Sequence, residues 1–237
     1  GVDVVSAAGG HQLALQVQLR DEATLDNFMA TPALAPLLPL LRDQCGTGGE
    51  PVLLLHGGRQ SGKSHLLQAS CHLAGSRSRY LPLAELRDYP PAAVLAEMEA
   101  AALVCLDDLQ AVTGREDWER ELFHFYNRAR AAGCRLLLAA DAPPAALEFQ
   151  LADLRSRLGW GIVYHLPAYD DGEKARLLVF RARRRGLQMS PEVARYIVSR
   201  APRDLSALLA LLDQLDERSL AEQRALTLPF VRAVLGW

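Results

Sequence analysis

The sequence lacks a cationic excess: its 237 residues carry 26 Lys+Arg against 28 Asp+Glu, a formal charge of -2, which is not the balance of a protein whose main partner is nucleic acid. It lacks metal and redox spacings too. Cys45, Cys71, Cys105 and Cys134 form no C-x-x-C pair and have no histidine at zinc-finger distance. Cys71 and Cys105 fall in apolar stretches and read as buried thiols, the usage of a reduced, cytoplasmic compartment. No stretch approaches 18 uninterrupted apolar residues and no basic-then-apolar leader opens the chain, so neither a membrane span nor a signal peptide is predicted. Half of the residues are hydrophobic, enough for a sizeable core. Charge is divided unevenly: residues 1–166 hold 14 basic against 19 acidic side chains, and residues 167–237 hold 12 against 9.

Gly57 to Ser64, read Gly-Gly-Arg-Gln-Ser-Gly-Lys-Ser, match the phosphate loop G-x-x-x-x-G-K-[ST] at every fixed position. The context is right as well. Val52 to Leu55 has the composition of a buried strand, and Ser64 to Ala74 the apolar spacing of a helix. Gly57 and Gly62 let the backbone turn, so that the N–H groups of Gly58, Arg59, Gln60 and Ser61 and of the helix start through His65 meet phosphate oxygens. Lys63 then reaches the outer phosphates and Ser64 holds Mg²⁺. An ordinary glycine turn is the bland alternative, and four matched positions between strand and helix outweigh it.

Some 40 residues on, Leu103-Val104-Cys105-Leu106 runs into Asp107-Asp108, a buried strand ending in two carboxylates. Asp107 is placed to hold Mg²⁺ through water, Asp108 to orient or deprotonate an attacking water. Arg135 to Ala140 predicts another buried strand. Asp141 at its end either senses the γ-phosphate or caps the following turn, and the residues leave both open. Between them, Glu116 to Ala132 predicts a helix closed by Gly133, its aromatics mostly core. The proline-punctuated stretch Pro32 to Leu41, helical after its first prolines, and Ala92 to Ala100 are further predicted helices, and Tyr80 to Leu83 and Ile162 to Leu166 further strands. Arg157, in a short helix from Leu151 to Leu158, stands before the corner Gly159-Trp160-Gly161. Such an arginine either stabilises charge on a phosphoryl group bound by a neighbouring subunit or forms a surface salt bridge.

After Pro167 the pattern becomes all-helical: 172–184, 191–199, 205–215 and 228–235, with Arg203 at a helix start. The dense run Arg181, Arg183, Arg184 and Arg185 reads as a solvated face, with a phosphate or partner contact as the alternative. At the other end Leu13, Leu15, Val17 and Leu19 alternate with Gln12, Ala14, Gln16 and Gln18. This is either an edge strand or an extended peptide that docks apolar side chains in a partner.

The order of these parts resembles that of the AAA+ ATPases, and more narrowly the DnaA-like family. The resemblance rests on Leu25-Asp26-Asn27-Phe28, Leu106-Asp107-Asp108-Leu109-Gln110, Arg155-Ser156-Arg157-Leu158-Gly159-Trp160-Gly161 and Pro202-Arg203-Asp204-Leu205-Ser206-Ala207-Leu208, spanning roughly residues 20–237. It implies a five-stranded parallel α/β domain over 21–166, a helical lid over 167–237, and a flexible N-terminal segment over 1–20. The sequence ends where DnaA continues into a helix-turn-helix domain, and a glutamine-led apolar peptide stands in front. Both features are similar to the Hda family of DnaA regulators.

For that family the resemblance implies ADP or ATP with Mg²⁺ in the phosphate loop, and Asp141 and Arg203 as sensor residues. Gln12, Leu13, Leu15 and Val17 become the peptide that docks on the β sliding clamp. Ala14 and Gln16 depart from the usual Ser/Pro and Pro, and Val17 from Leu. Arg157 becomes an arginine finger offered to ATP on DnaA, so that replication initiation is restrained. The implied location is cytoplasmic, at the nucleoid through the clamp. A homodimer is compatible, and neither sequence-specific DNA binding nor a membrane is expected. Because the loop, Asp107 and Asp108 are intact, an autonomous ATPase of the helicase-loader kind is the alternative, and a nucleotide-gated adaptor a third.

Overall fold

A computed structural model describes residues 19–202 and 204–237. The chain divides at Pro167 and Ala168 into two compact units. In the first, parallel strands β1 (Val52–His56), β2 (Ser78–Pro82), β3 (Leu103–Asp107), β4 (Arg135–Ala140) and β5 (Ile162–His165) form one sheet in the order β2-β3-β4-β1-β5. The helices of this unit are α1 (Leu37–Cys45), α2 (Lys63–Ala74), the single turns α3 (Leu83–Leu86) and α4 (Pro91–Val94), α5 (Glu116–Ala132) and α6 (Ala152–Leu158).

The apolar runs are continuous because both faces of the sheet are covered. Val52, Leu54, Val104, Leu106, Leu136 and Leu138 face one core with Trp118 and Phe125 of α5 and Leu154 of α6. Leu53, Leu55, Leu103, Cys105 and Leu137 face the other with Leu37 and Leu41 of α1 and Leu66 and Leu67 of α2. All four cysteines are buried free thiols. No helix among the described residues is long and apolar enough to cross a membrane.

Two predicted helices differ in their bounds. The stretch 32–41 becomes helical at Leu37, after its first prolines as expected, and runs four residues further, to Cys45. Pro36 has no N–H to give, whereas Pro39 sits in the first turn, where no donor is needed. The stretch expected from Ala92 to Ala100 is broken: α4 stops at Val94, Glu97 takes a left-handed φ of 58°, and Met98–Ala100 is a separate 3-10 turn. Burial of Val94, Leu95 and Met98 outweighs a continuous hydrogen-bond ladder there.

The second unit is all helix: α7 (Asp171–Arg184), α8 (Pro191–Arg200), α9 (Leu205–Glu222) and α10 (Leu228–Leu235). Each starts on a side-chain cap, from Asp170, Ser190, Asp204 and Thr227 respectively, and these hydroxyls and carboxylates satisfy backbone donors that the first turn leaves free. α9 runs seven residues past the predicted end, to a left-handed Gln223. Its core joins Leu178, Ala182, Ile197, Leu212, Leu215 and Phe230.

Candidate functional site

In-register pairing brings the ends of three strands together. His56 lies opposite Ala140, so Gly57 follows β1 directly beside the end of β4, and its N–H donates to the Ala140 carbonyl at 3.3 Å. The loop then turns through left-handed Gln60 (φ 63°) and Gly62 (φ 93°) into α2. Gly57 is required for closeness: a Cβ there would come within 2.2 Å of the Leu166 carbonyl oxygen.

Lys63, only 8 % exposed, folds over this loop. Its Nζ donates to the carbonyls of Gly57 (2.7 Å) and Gly58 (2.8 Å) and to Ser61 Oγ (3.3 Å). Burial pushes the Lys63 ammonium below its usual range, while the carboxylates of Asp107, Asp108 and Asp141 pull it back up. A cation is therefore held at the loop mouth and faced by three acids.

Asp107 is 1 % exposed. Its Oδ2 accepts from the Tyr80 hydroxyl at 2.8 Å and its Oδ1 from the Asp108 N–H at 3.0 Å. Burial lifts its carboxyl above the usual range, and hydrogen bonds from Ser64 and Tyr80 work against that. The Ser64 hydroxyl and the Asp107 carboxylate thus meet at one point, a hard-oxygen pair that fits Mg²⁺ held partly through water. Asp108 sits in the left-handed region at φ 56°. Gln110 joins it to β4: Gln110 Nε2 donates to Asp108 Oδ1 at 2.9 Å, and its Oε1 accepts from the Asp141 N–H at 3.2 Å. Gly58, Arg59 and Asp141 are exposed.

The segment 24–28 closes on the start of α2. His65 Nε2 lies 2.7 Å from the Thr24 carbonyl, and the Phe28 ring sits 5.8 Å from the His65 ring and against Gly62. Gln12, Leu13, Leu15, Val17 and Arg203 lie outside the described residues. Tyr80, Gln110 and Phe28 are the contributors that sequence reading missed. Gln110 and Phe28 do lie in the stretches that carry the family resemblance, but without a role; Tyr80 carries no local signal.

Arg157 belongs to a second constellation. Its guanidinium lies 4.4 Å from the Phe123 ring centroid, 5.9 Å from Tyr126 and 5.8 Å from Trp160, and Nη1 donates to Asn127 Oδ1. No acid pairs with it among the described residues, whereas Trp160 beside it is 71 % exposed. The buried carboxylate of Glu119 holds this corner together. It accepts from Gly114 N (2.7 Å), Gln150 N (3.2 Å) and Leu151 N (2.7 Å), tying α5, which carries Phe123 and Asn127, to the start of the helix that carries Arg157. Gly161 then passes so close to β1 that a Cβ would lie 2.1 Å from the Val52 carbonyl oxygen.

A five-stranded parallel sheet with a phosphate loop after β1, acids at the ends of β3 and β4 and a following helical unit defines the AAA+ class of P-loop proteins. Residues 41–165 match the family model for the bacterial DnaA ATPase domain and residues 171–235 that for the Hda lid domain. The chain belongs to the bacterial DnaA ATPase-domain family and carries an Hda-type lid. It is 42 % identical over 229 residues to an uncharacterized protein of Haemophilus influenzae, covering 95 % of this chain and 98 % of that one. Domain III of the replication initiation protein DnaA from Thermotoga maritima superposes with a TM-score of 0.76 at 22 % identity, over 93 % of this chain and 98 % of that one. DnaA from Aquifex aeolicus bound to AMPPCP gives 0.69 at 21 %, over 87 % and 69 %. The RuvB branch migration motor of Thermotoga maritima gives 0.64 at 17 %, over 90 % and 71 %. Membership of this family supports a role in the control of replication initiation.

Proposed function

We propose that this chain is a regulator that holds ADP to fix its own shape, docks on the β sliding clamp through Gln12–Val17, and stimulates hydrolysis of ATP bound to DnaA. The observation that carries the proposal is the Arg157 corner. A guanidinium with no acidic partner among the described residues is propped on Phe123 beside the exposed Trp160, which suits a cation presented to a phosphoryl group that another protein binds. Lys63 would let go of the loop carbonyls to meet the outer phosphate, and backbone N–H groups of the loop after Gly57 and of the start of α2 would line the rest. Ser64 and Asp107 would hold Mg²⁺, which would supply charge neutralisation at the phosphates. Asp141, and Arg203 from the lid, would sense the nucleotide. Asp108 has one carboxylate oxygen engaged by Gln110, which fits weak turnover of the protein's own nucleotide.

At the partner's site, Arg157 would stabilise charge developing on the transferring phosphoryl group, an effect worth about 10³ to 10⁵ in rate where arginine fingers act in trans. Arg157→Ala is expected to retain nucleotide and clamp capture and to lose the stimulated hydrolysis of DnaA-bound ATP in a single-turnover assay. Undiminished stimulation would remove Arg157 from this role and favour an adaptor that only tethers its partners. The complete set of Lys63, Asp107 and Asp108 favours a second reading, an autonomous ATPase of the loader kind. Turnover by the purified chain alone, abolished by Asp108→Asn, would establish that instead.

A further inference from the structure

The helical unit carries the basic surplus of the chain, and several of its arginines are matched by acids. Arg185 pairs with Asp213 at 2.6 Å and Asp216 at 3.7 Å, Arg218 with Glu222 at 2.7 Å, and Arg224 with Glu222 at 3.7 Å. Arg200 at the end of α8 and Arg232 on α10 are different. Both are exposed, and neither forms an ion pair among the described residues. Their guanidiniums converge on one ring: Arg200 Cζ lies 4.8 Å and Arg232 Cζ 5.1 Å from the Tyr196 centroid. Arg232 Nε also donates to the Tyr196 hydroxyl at 3.1 Å, and the Trp237 ring sits 6.1 Å from that of Tyr196.

The two cations are therefore no more than about 10 Å apart, close to one screening length at physiological salt, so their mutual repulsion is felt. Arg195, the residue before Tyr196, is likewise exposed and without an ion pair among the described residues, as are Arg176 and Arg183 on α7, and Glu192 is the acid one turn earlier on α8. Pinning α10 to α8 needs only the bond from Arg232 to Tyr196. It does not account for Arg200 on the same ring.

We propose that Arg200 and Arg232, braced on Tyr196, form a contact surface for the sugar–phosphate backbone of duplex DNA. Neither arginine lines the concavity between Val179 and Pro229 or the one beside Lys174, and both are exposed at the surface. An extended polyanion needs no concavity. Phosphates recur about every 3.4 Å of axis along each strand, so a strand that passes the ring offers each guanidinium a phosphate of its own. Guanidiniums fixed against an aromatic ring lose little side-chain freedom on contact. This surface reads charge rather than sequence. It is independent of Arg157 and of the nucleotide loop.

The test uses the full chain and a labelled duplex of mixed sequence, with affinity followed over a salt series. Each phosphate contact contributes about -0.9 to the slope of log K against log salt. Arg200→Gln and Arg232→Gln are each expected to remove about that much and the double variant about twice as much, equally for unrelated duplexes. Arg200→Lys should keep most of it. Because Arg232→Gln can loosen α10, Arg200→Gln is the deciding variant, with an unchanged melting temperature and unchanged nucleotide binding as its controls. Absence of salt-dependent binding by the unaltered chain would overturn the proposal, as would a slope that stays the same in the double variant. Loss of capture by the clamp or by DnaA with the DNA slope unmoved would assign the patch to an acidic protein surface and overturn it equally.

Discussion

The phosphate loop and the Arg157 corner hold one cation each, by opposite means. Lys63 is sunk among backbone carbonyls and a hydroxyl, with three carboxylates near enough to act on its charge. Arg157 rests on aromatic faces with one amide acceptor and no acid among the described residues. A cation whose donors are engaged by carbonyls and a hydroxyl, with acids acting on its charge, must give those bonds up before a ligand can take it. One held by rings keeps its charge available, because a ring quadrupole attracts without cancelling. The first arrangement suits a ligand the protein keeps, the second a charge that is shown to something else.

Substitutions that act on one side only would sharpen this contrast. Lys63→Ala should have the largest effect, weakening nucleotide binding at least about a hundredfold, since charge-assisted hydrogen bonds contribute about 1.5–3 kcal/mol each. Isothermal titration with ADP would measure it, and the corner should stay intact. With ADP raised to saturate the variant, stimulation of a pre-loaded DnaA should return; its loss at saturating ADP would show that Lys63 acts on the corner as well as on the phosphates.

Glu119→Gln comes next. An amide presents an N–H where the carboxylate receives three backbone donors, and leaving a buried donor unmet costs about 1–3 kcal/mol. Thermal unfolding should show that loss. Stimulation of DnaA should fall with KM for DnaA rising more than kcat drops, because Glu119 positions the corner without touching the phosphoryl group. Equal loss of nucleotide binding would mean that Glu119 merely holds the fold.

Asp107→Asn is the subtlest. Burial raises the folded-state pKa of Asp107 above the ordinary carboxylate value, so the folded, metal-free chain binds this proton more tightly than the unfolded one. That preference favours folding below the ordinary carboxylate pKa and is lost as pH rises through the raised value. Asp107→Asn should therefore flatten this part of the stability profile of the nucleotide-free protein, while removing any Mg²⁺-dependent gain in ADP affinity. Melting curves from about pH 4 to 8, a range chosen around the carboxylate and neutral region, would check the sign. A profile unaltered by the substitution would show that the Asp107 proton is not coupled to folding.

Much of this was legible in the sequence. Continuous apolar runs announce strands covered on both sides, and caps such as Ser190 before Pro191 announce helix starts. The spacing of Gly57, Gly62, Lys63 and Ser64 needs only neighbouring residues to be read. Glu119, Tyr80 and Gln110 were not legible, because each is a single polar residue whose partner lies 27 to 32 positions away, or whose effect is to join two strand ends. Phe123 was placed with the core aromatics of its helix. Trp118, Phe125 and Tyr126 are buried there, whereas Phe123 is half-buried and serves as the shelf for Arg157. The salt-bridge alternative for Arg157 finds no acid among the described residues, a matter of tertiary placement that periodicity cannot report.

Residues 161–166 are fastened to β1 at both extremities, Gly161 against the Val52 carbonyl at one and Leu166 against His56 and Gly57 at the other. Two anchored strands side by side behave as a stiff rail with no slack for either to slide. A side chain added at Gly57 or at Gly161 would meet a carbonyl oxygen at once, so either substitution must displace one extremity of the rail.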